Sequence, residues 1–212
     1  MSPTSRGRGS APRGGRARTR KAAPKTPASR SKAMPKAKAR AVRLVIFDVD
    51  GVLTDAGVYI GALPGGETLE LKRFDIQDGV GIVLLKKAGI RVALISGRVS
   101  ETTRLRAEEL GIECHQDPDA RKVPLAESVL RRAGVTWEQT AMVGDDIPDL
   151  AVFRRVGLKA TVANAQPELA ALADWQSTAP GGRGAVREFC RALLTARGEW
   201  DRLVAEYERE RS

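Results

Sequence analysis

The sequence predicts an α/β domain with a Rossmann-like, doubly wound parallel sheet. Short apolar runs rich in β-branched residues alternate with segments of helical spacing between residues 44 and 173, as in repeated βα units. Several of these runs end in polar residues next to glycine, and the carboxyl ends of the strands form the usual ligand site of open α/β sheets. The fold class therefore also indicates which edge of the sheet carries the site.

The elements are predicted in chain order. The first strand covers residues 44–47, which are all apolar, and an alternating segment on both sides of Pro64-Gly65-Gly66 is typical of a β-hairpin flap. Later strands are predicted at 91–95, 113–115, 140–143 and 158–162, with helices at 79–87, 100–110, 124–133, 149–156 and 167–173. Apolar residues between 186 and 194 recur at helical spacing and predict a final core-facing helix.

Charge divides the chain into three parts. Residues 1–40 contain 13 of the 36 Lys and Arg residues and no Asp or Glu, although the whole chain has a net charge of +10. This segment has few apolar residues, so we expect a disordered basic tail that binds polyanions nonspecifically. Residues 41–198 suit one domain with a full core, and residues 199–212 form a charged C-terminal extension.

The composition also predicts where the protein acts. We find no segment of transmembrane length and no apolar stretch typical of a secretory signal. The two cysteines, Cys114 and Cys190, do not support a disulfide framework, and the single histidine is not part of a zinc-binding pattern. These observations predict a cytoplasmic protein that does not associate with a membrane.

The acidic pair after the first strand is the main functional signal. Asp48 and Asp50 are one residue apart, and Gly51 follows. Like charges this close raise each other's pKa unless a cation joins them, so the pair indicates a bound Mg²⁺. The alternative is a solvated acidic turn, because Asp-Gly is common in turns.

Later strand ends bring polar groups to the same edge. Ser96-Gly97 offers a hydroxyl and backbone N–H donors for a phosphoryl oxygen, although a helix N-cap explains Ser96 equally well. Gly144-Asp145-Asp146, with Asp149 three residues on, adds carboxylates. Arg121-Lys122 precedes a predicted helix and offers a cation, with a surface charge pair as the alternative.

In this order the motifs resemble those of the haloacid dehalogenase superfamily of Mg²⁺-dependent phosphatases. Further segments are similar to the family of 3-deoxy-D-manno-octulosonate 8-phosphate phosphatases over roughly residues 42–196. These segments are 48–55, Phe74 with 78–81, 143–150, 162–165 and 181–188. The resemblance implies hydrolysis of this sugar acid phosphate through an aspartyl-phosphate, as a step in lipopolysaccharide sugar biosynthesis.

The resemblance implies a role for each matching residue. Asp48 would be the nucleophile and Asp50 the acid and base. Mg²⁺ would bind Asp48, the backbone carbonyl of Asp50, and Asp145. The residues implied to contact the substrate or its phosphate are Ser96, Gly97, Asp78 and Arg183.

The cation of the third motif is either Lys122 or Arg121. The link after Gln116 reads Asp-Pro-Asp-Ala-Arg, where the family usually has a shorter link that contains glycine. Lys122 is favoured because a compact ammonium suits a point contact with carboxylate and phosphate.

The spacing of the motifs leaves no room for a cap domain. Asp50 and Ser96 are only 46 positions apart and Ser96 and Lys122 only 26 positions apart, and predicted elements fill both gaps. An uncapped site needs a large substrate or a neighbouring subunit to exclude water. The resemblance implies a homotetramer in which the hairpins pack together and C-terminal tails reach adjacent sites.

Two other functions remain open. A nine-carbon, sialic-acid-like 9-phosphate also has a carboxylate at one end and a phosphate at the other, so the motifs do not separate it from the eight-carbon substrate. A nucleic-acid-associated phosphatase or binding protein would use the basic tail as an anchor. The tail, however, has no aromatic residue for base stacking.

Overall fold

The structure is a computed structural model, and it describes residues 33–212. The strands are β1 (Leu44–Phe47), β2 (Tyr59–Ala62), β3 (Thr68–Leu71), β4 (Arg91–Ser96), β5 (Glu113–Gln116), β6 (Thr140–Gly144), β7 (Leu158–Thr161) and β8 (Trp175–Gln176). The helices are α1 (Lys36–Ala41), α2 (Ile76–Lys87), α3 (Glu101–Leu110), α4 (Lys122–Ala133), α5 (Leu150–Phe153), α6 (Pro167–Ala170), α7 (Ala185–Arg197) and α8 (Trp200–Arg209).

Six strands form one parallel sheet in the order β5-β4-β1-β6-β7-β8. In its centre, Phe47 of β1 pairs with Leu94 of β4 and with Val143 of β6. The carboxyl ends of these three strands therefore lie side by side. The predicted parallel sheet is confirmed.

Strand β1 contributes to two hydrophobic cores, one on each face of the sheet. Phe47 packs edge-on against Phe189 of α7, with their ring centroids 5.8 Å apart. Ile46 points to the other face, where Phe153 of α5 belongs to the same cluster. Burial of alternate residues on opposite faces explains why the whole strand is apolar.

Strands β2 and β3 form the predicted hairpin as a separate antiparallel pair, with Tyr59 opposite Leu71. Within residues 33–212, only this hairpin and α2 lie between the turn after β1 and the start of β4. Only α3 and β5 lie between β4 and α4. The expected absence of a cap domain is therefore confirmed.

The described residues include a helix inside the segment predicted to be a disordered tail. Helix α1 begins inside the segment expected to be a disordered tail, and its Ala39 is fully buried. Arg197 of α7 donates a hydrogen bond to the carbonyl of Ala39, and Lys38 pairs with Asp174 at 2.6 Å. A six-residue helix is not stable alone, so tertiary packing overrides the local composition here. Residues 1–32, the rest of the predicted tail, lie outside the described residues.

The charged C-terminal extension is helix α8, and it packs on the domain. Leu203 is fully buried, and the guanidinium of Arg187 lies 4.8 Å from the ring centroid of Trp200. Lys87 of α2 pairs with Glu210 at 2.6 Å. Over residues 33–212, no helix combines the length and apolar character required to cross a bilayer.

Candidate active site

A cavity of about 190 Å³ opens where β1, β4 and β6 end. Its lining residues are Asp48, Asp50, Ser96, Gly97, Arg98, Lys122, Asp146, Pro148 and Asp149. The structure thus brings together five side chains or backbone segments that the sequence assigned to one site. They come from the ends of β1 and β4 and from the first residue of α4, and the loop after β6 adds Asp146 and Asp149.

The turn after β1 closes around the carboxylate of Asp145, the residue that follows β6. Gly51 has φ of +102°, a conformation that L-residues rarely adopt. A Cβ at this position would lie 2.0 Å from Oδ2 of Asp145. Glycine is therefore required at position 51 both by the backbone and by the approach of Asp145.

Lys122 is the buried cation of the site. Its Nζ lies 2.5 Å from Oδ1 of Asp48 and 2.6 Å from Oδ1 of Asp149, and the residue is only 4% exposed. Burial opposes the charged form, but the two carboxylates outweigh it and raise the pKa of Lys122 above its usual value. Lys122 therefore remains an ammonium that offsets part of the negative charge.

Arg121, the alternative cation, faces away from this cavity. Its side chain is 67% exposed and pairs with Asp117 and Asp119. In the link that departs from the family pattern, Ala120 has φ of 55°, a left-handed conformation that favours glycine. The geometry thus places Lys122 in the site and Arg121 at the surface.

Asp149 has a role that the sequence did not assign. Its Oδ2 accepts a hydrogen bond from the backbone N–H of Asp145 at 3.0 Å, while its Oδ1 binds Lys122. A Cβ on Gly144 would lie 2.6 Å from the same Oδ2. Asp149 therefore holds both the loop after β6 and the buried ammonium. The sequence signal for this role is the position of Asp149, three residues after the Asp145-Asp146 pair.

The cluster of carboxylates around Lys122 fits a divalent cation. Oxygens of Asp48, Asp145 and Asp149 lie within 4.8 Å of one another. Within residues 33–212, Oδ1 of Asp145 is buried without a hydrogen-bond partner. Burial and the charge of Asp149 raise the pKa of Asp145 to about 7, and the same two causes raise the pKa of Asp48 well above its usual value. A hard cation with oxygen ligands would relieve this repulsion.

Ser96 lies at the cavity and does not cap the following helix. Its Oγ exchanges hydrogen bonds of 3.1 Å with the backbone N–H and carbonyl of Arg98. The N-cap of α3 is Ser100, whose Oγ accepts from the N–H of Thr103. A Cβ on Gly97 would lie 2.9 Å from Ala120, so glycine permits close packing on the link before α4. The N-cap alternative for Ser96 is therefore wrong.

Asp50 also lines the cavity, and its partner is a residue that sequence reasoning missed. The Nζ of Lys72, which follows β3, lies 2.8 Å from Oδ1 of Asp50. Lys72 follows a hairpin strand of mostly exposed residues, so the neighbouring sequence does not predict that its side chain is buried. Its proximity to the site arises only from the way the hairpin folds back on the domain.

Asp78 and Arg183 lie outside the cavity. Asp78 is 1% exposed in the first turn of α2, and its Oδ1 accepts a hydrogen bond from the backbone N–H of Arg187 at 2.8 Å. This contact caps the N-terminal turn of α7 from a neighbouring helix. The structure therefore shows a helix-capping contact for Oδ1 of Asp78, and its expected contact with the substrate stays a prediction.

The side chain of Arg183 is 56% exposed, and its Nη2 lies 3.6 Å from the carboxylate of Asp55. The preceding glycines pack on the same chain: a Cβ on Gly181 would lie 1.7 Å from the carbonyl oxygen of Gly51. The N–H of Gly182 donates to the carbonyl of Val52 at 3.0 Å. This segment therefore packs on the turn after β1 of its own chain, and the reach of the tail to an adjacent subunit stays a prediction.

Asp78→Asn should change the pH dependence of stability. Burial raises the pKa of Asp78 to about 6, so between pH about 4 and about 6 the native state binds more protons than the unfolded state. Wild-type stability therefore falls as pH rises through this window, by up to roughly 3 kcal/mol from this group. Asparagine retains an acceptor for Arg187 without this loss. Thermal unfolding at several pH values should show that the stability of Asp78→Asn relative to the wild type increases from pH about 4.5 to about 7. A stability difference that does not change with pH would contradict the prediction.

Comparison with known proteins agrees with this geometry. The sequence model of the haloacid dehalogenase-like hydrolase family matches residues 82–157. The 3-deoxy-D-manno-octulosonate 8-phosphate phosphatase of Escherichia coli is 42% identical over 165 residues, which cover 78% of this chain and 86% of the relative.

Solved structures give the same result. The phosphatase of this name from Yersinia pestis is 39% identical, has a TM-score of 0.73, and is matched over 78% of this chain and 88% of its own. The Moraxella catarrhalis phosphatase was solved with a magnesium ion, a phosphate ion and a KDO molecule. It is 35% identical with a TM-score of 0.74, and the match covers 81% of this chain and 97% of that chain.

The family model and the relatives show that the chain is a haloacid dehalogenase-like hydrolase, and the buried aspartate–lysine–aspartate arrangement at the carboxyl edge of the sheet agrees with this class. The identity and coverage of the phosphatase relatives then identify the family within this class. The chain belongs to the 3-deoxy-D-manno-octulosonate 8-phosphate phosphatase family, and the resemblance inferred from its motifs is confirmed.

Proposed function

We propose that this chain is a Mg²⁺-dependent phosphatase that hydrolyses 3-deoxy-D-manno-octulosonate 8-phosphate to the free sugar acid and phosphate during lipopolysaccharide sugar biosynthesis. The observation that carries the proposal is the position of Lys122 between Asp48 and Asp149, in a cavity that also contains Asp50 and Ser96. The substrate follows from relatives whose names state this activity, at 42% identity over most of their length.

The first step uses two aspartates on the turn after β1. Lys122 binds Oδ1 of Asp48, which leaves Oδ2 to attack phosphorus. As the P–O bond to the sugar breaks, the leaving alkoxide takes a proton from the carboxyl of Asp50. Ser96 and Gly97 would bind a phosphoryl oxygen, and Mg²⁺, when bound, would offset charge on the transferring phosphoryl group.

The second step regenerates the enzyme. Water attacks the phosphorus of the aspartyl-phosphate and gives a proton to the carboxylate of Asp50. The bond between Asp48 and phosphorus breaks, so phosphate leaves and Asp48 is a carboxylate again. The Lys122 ammonium remains in place to pair with that carboxylate and with Asp149.

We propose Asp48, Asp145 and the backbone carbonyl of Asp50 as the magnesium ligands. Both oxygens of Asp149 are already used, by Lys122 and by backbone N–H groups, whereas Oδ1 of Asp145 has no partner within residues 33–212. The chemistry of the donor set, oxygen only, suits Mg²⁺.

Asp145→Ala should raise the Mg²⁺ concentration required for half-maximal activity by about 10- to 100-fold, because one carboxylate ligand is lost. Excess Mg²⁺ should recover part of kcat. Titrations of activity with Mg²⁺ and calorimetric binding of the ion alone would measure both effects. Asp146→Asn is the matched control, since it removes a neighbouring charge but keeps the acceptor for the N–H of Ile147. Equal Mg²⁺ dependence in both variants would place the ion elsewhere.

A panel of phosphate esters tests the substrate. The eight-carbon 8-phosphate, a nine-carbon sialic-acid-like 9-phosphate and p-nitrophenyl phosphate should each be assayed with Mg²⁺ and after chelation. We expect the highest kcat/KM for the eight-carbon ester and loss of all three activities without the metal. A preference for the nine-carbon ester would replace the proposed substrate, and Mg²⁺-independent turnover would overturn the mechanism.

Self-association through the hairpin is also proposed. Tyr59, Ile60 and Leu71 are 67%, 71% and 53% exposed, although large apolar side chains on a small hairpin are usually covered. A homotetramer with packed hairpins would bury them. Arg183, exposed at the rim of the turn after β1, is our candidate contact for the sugar acid carboxylate.

The cytoplasmic location stays a proposal, supported by the unpaired thiols of Cys114 and Cys190. Polyanion binding by the basic tail stays a prediction, because residues 1–32 lie outside the described residues.

A further inference from the structure

Lys72 is a buried charge with a specific set of partners. Its side chain is 0% exposed, and its Nζ lies 2.8 Å from Oδ1 of Asp50 and 3.7 Å from Oε1 of Glu70. The same ammonium donates a hydrogen bond to Oγ1 of Thr103 at 3.2 Å. An ammonium without solvent is costly unless it is paired and hydrogen-bonded, so these contacts fix its position.

The segment that carries Lys72 is anchored on both sides. Before it, Glu70 accepts hydrogen bonds from Oγ of Ser100 at 2.5 Å and, through its backbone carbonyl, from Oγ1 of Thr102 at 3.0 Å. After it, Phe74 forms an antiparallel bridge with Thr54, on the turn that follows β1. The ammonium is thus held between the first turn of α3 and the loop that contains Asp50.

The contact distinguishes the two oxygens of Asp50. Oδ1 lies 2.8 Å from Nζ of Lys72, both oxygens are buried without a formed hydrogen bond within residues 33–212, and the residue lines the cavity. A proton shared with a leaving group can only reside on the oxygen that is free of the ammonium. An ion pair through Oδ1 would leave Oδ2 as the oxygen that exchanges protons with the substrate.

We propose that Lys72 is a positioning residue for the acid–base step: it clamps Oδ1 of Asp50 so that Oδ2 faces the leaving-group oxygen and later the attacking water. The inference rests on the proposed function, in which Asp50 transfers the proton. A misplaced acid–base group costs up to about 100-fold in rate, so the clamp has a measurable effect.

The leaving group provides the test. Alkoxide leaving groups need protonation, whereas p-nitrophenolate leaves without it. The ratio kcat/KM covers substrate binding and the first phosphoryl transfer, without the later hydrolysis of the aspartyl-phosphate. Lys72→Met should lower kcat/KM for a simple alkyl phosphate and for the sugar acid phosphate by about 10- to 100-fold. For p-nitrophenyl phosphate the change should stay within about 3-fold, which also shows that the variant folds and assembles.

Two further variants sharpen the result. Lys72→Arg keeps a cation near Asp50 and should recover part of the alkyl phosphate activity. Lys86→Met removes a lysine of α2 that binds the carbonyls of Leu110 and Gly111, and it should leave both substrates unaffected.

An equal loss with both leaving groups in Lys72→Met would make Lys72 a structural residue and overturn the proposal, as would unchanged kcat/KM for both. Failure of the wild-type protein to prefer the eight-carbon ester would instead refute the proposed substrate. The comparison of simple alkyl and p-nitrophenyl phosphates would still decide the role of Lys72, because it does not depend on that sugar.

Discussion

Asp48→Asn is expected to lower phosphate release by at least about 10³-fold, because the amide has no nucleophilic charge for the attack on phosphorus. The variant should fold normally. Its side-chain carbonyl still accepts a hydrogen bond from Lys122, and removal of a buried carboxylate relieves the repulsion with Asp149 and Asp145. Steady-state phosphate release and thermal unfolding would measure the two effects.

The control for this substitution is Asp119→Asn, which changes a carboxylate on the link before α4 that pairs with Arg121 at the surface. It should retain nearly full activity. Turnover of the Asp48 variant near the wild-type rate, with the same Mg²⁺ requirement, would exclude covalent catalysis by this residue and require another nucleophile.

Lys122→Met is expected to reduce both activity and stability. It leaves Asp48 and Asp149 facing each other at 5% and 1% exposure without their shared ammonium. Loss of one partner of a buried ion pair typically costs about 3–5 kcal/mol, and we expect a loss of that order in the free energy of unfolding. Activity should fall by about 100-fold or more, since the cation also offsets charge on the phosphoryl group.

Arg121→Met is the matched control, because it removes the adjacent cation from an exposed position. Denaturant unfolding and kcat/KM should both remain close to wild type. The reverse result, with activity lost in Arg121→Met and kept in Lys122→Met, would assign the third-motif cation to Arg121. Added Mg²⁺ should reduce the difference in the free energy of unfolding between Lys122→Met and the wild type, since a divalent ion beside Asp48 replaces part of the missing positive charge.

Much of the fold was predictable because parallel strands buried on both faces are apolar throughout. Leu44 to Phe47 and the run that ends at Ile95 carry this signal, and their adjacent positions in the sheet bring Asp48 and Ser96 together. Helix α4 starts at Lys122, two residues before the predicted start. The sequence does not show that this lysine is buried at the start of a helix, because its partners Asp48 and Asp149 are 74 and 27 residues away in the chain.

Other parts of the site and fold depend on contacts that no local pattern encodes. Lys72 is buried because the hairpin folds back onto α3, and α1 is ordered because Arg197 and α7 cover it. Strand β8 has only two residues, too few for a periodic signal. The substrate contact expected for Asp78 was inferred from the resemblance alone. The packing of α2 on α7 lets Oδ1 of Asp78 accept a hydrogen bond from the backbone N–H of Arg187, which no local pattern predicts.

The two-faced burial of β1 has a consequence for how the enzyme fails on heating. Phe47 belongs to the core under α7, Ile46 belongs to the core under α5, and Asp48 is the next residue along the chain. Loosening either layer therefore displaces the strand that ends at the nucleophile. Catalysis and global unfolding are coupled through a single strand, so thermal inactivation should follow the melting of the whole domain, without an earlier phase in which the site alone is lost.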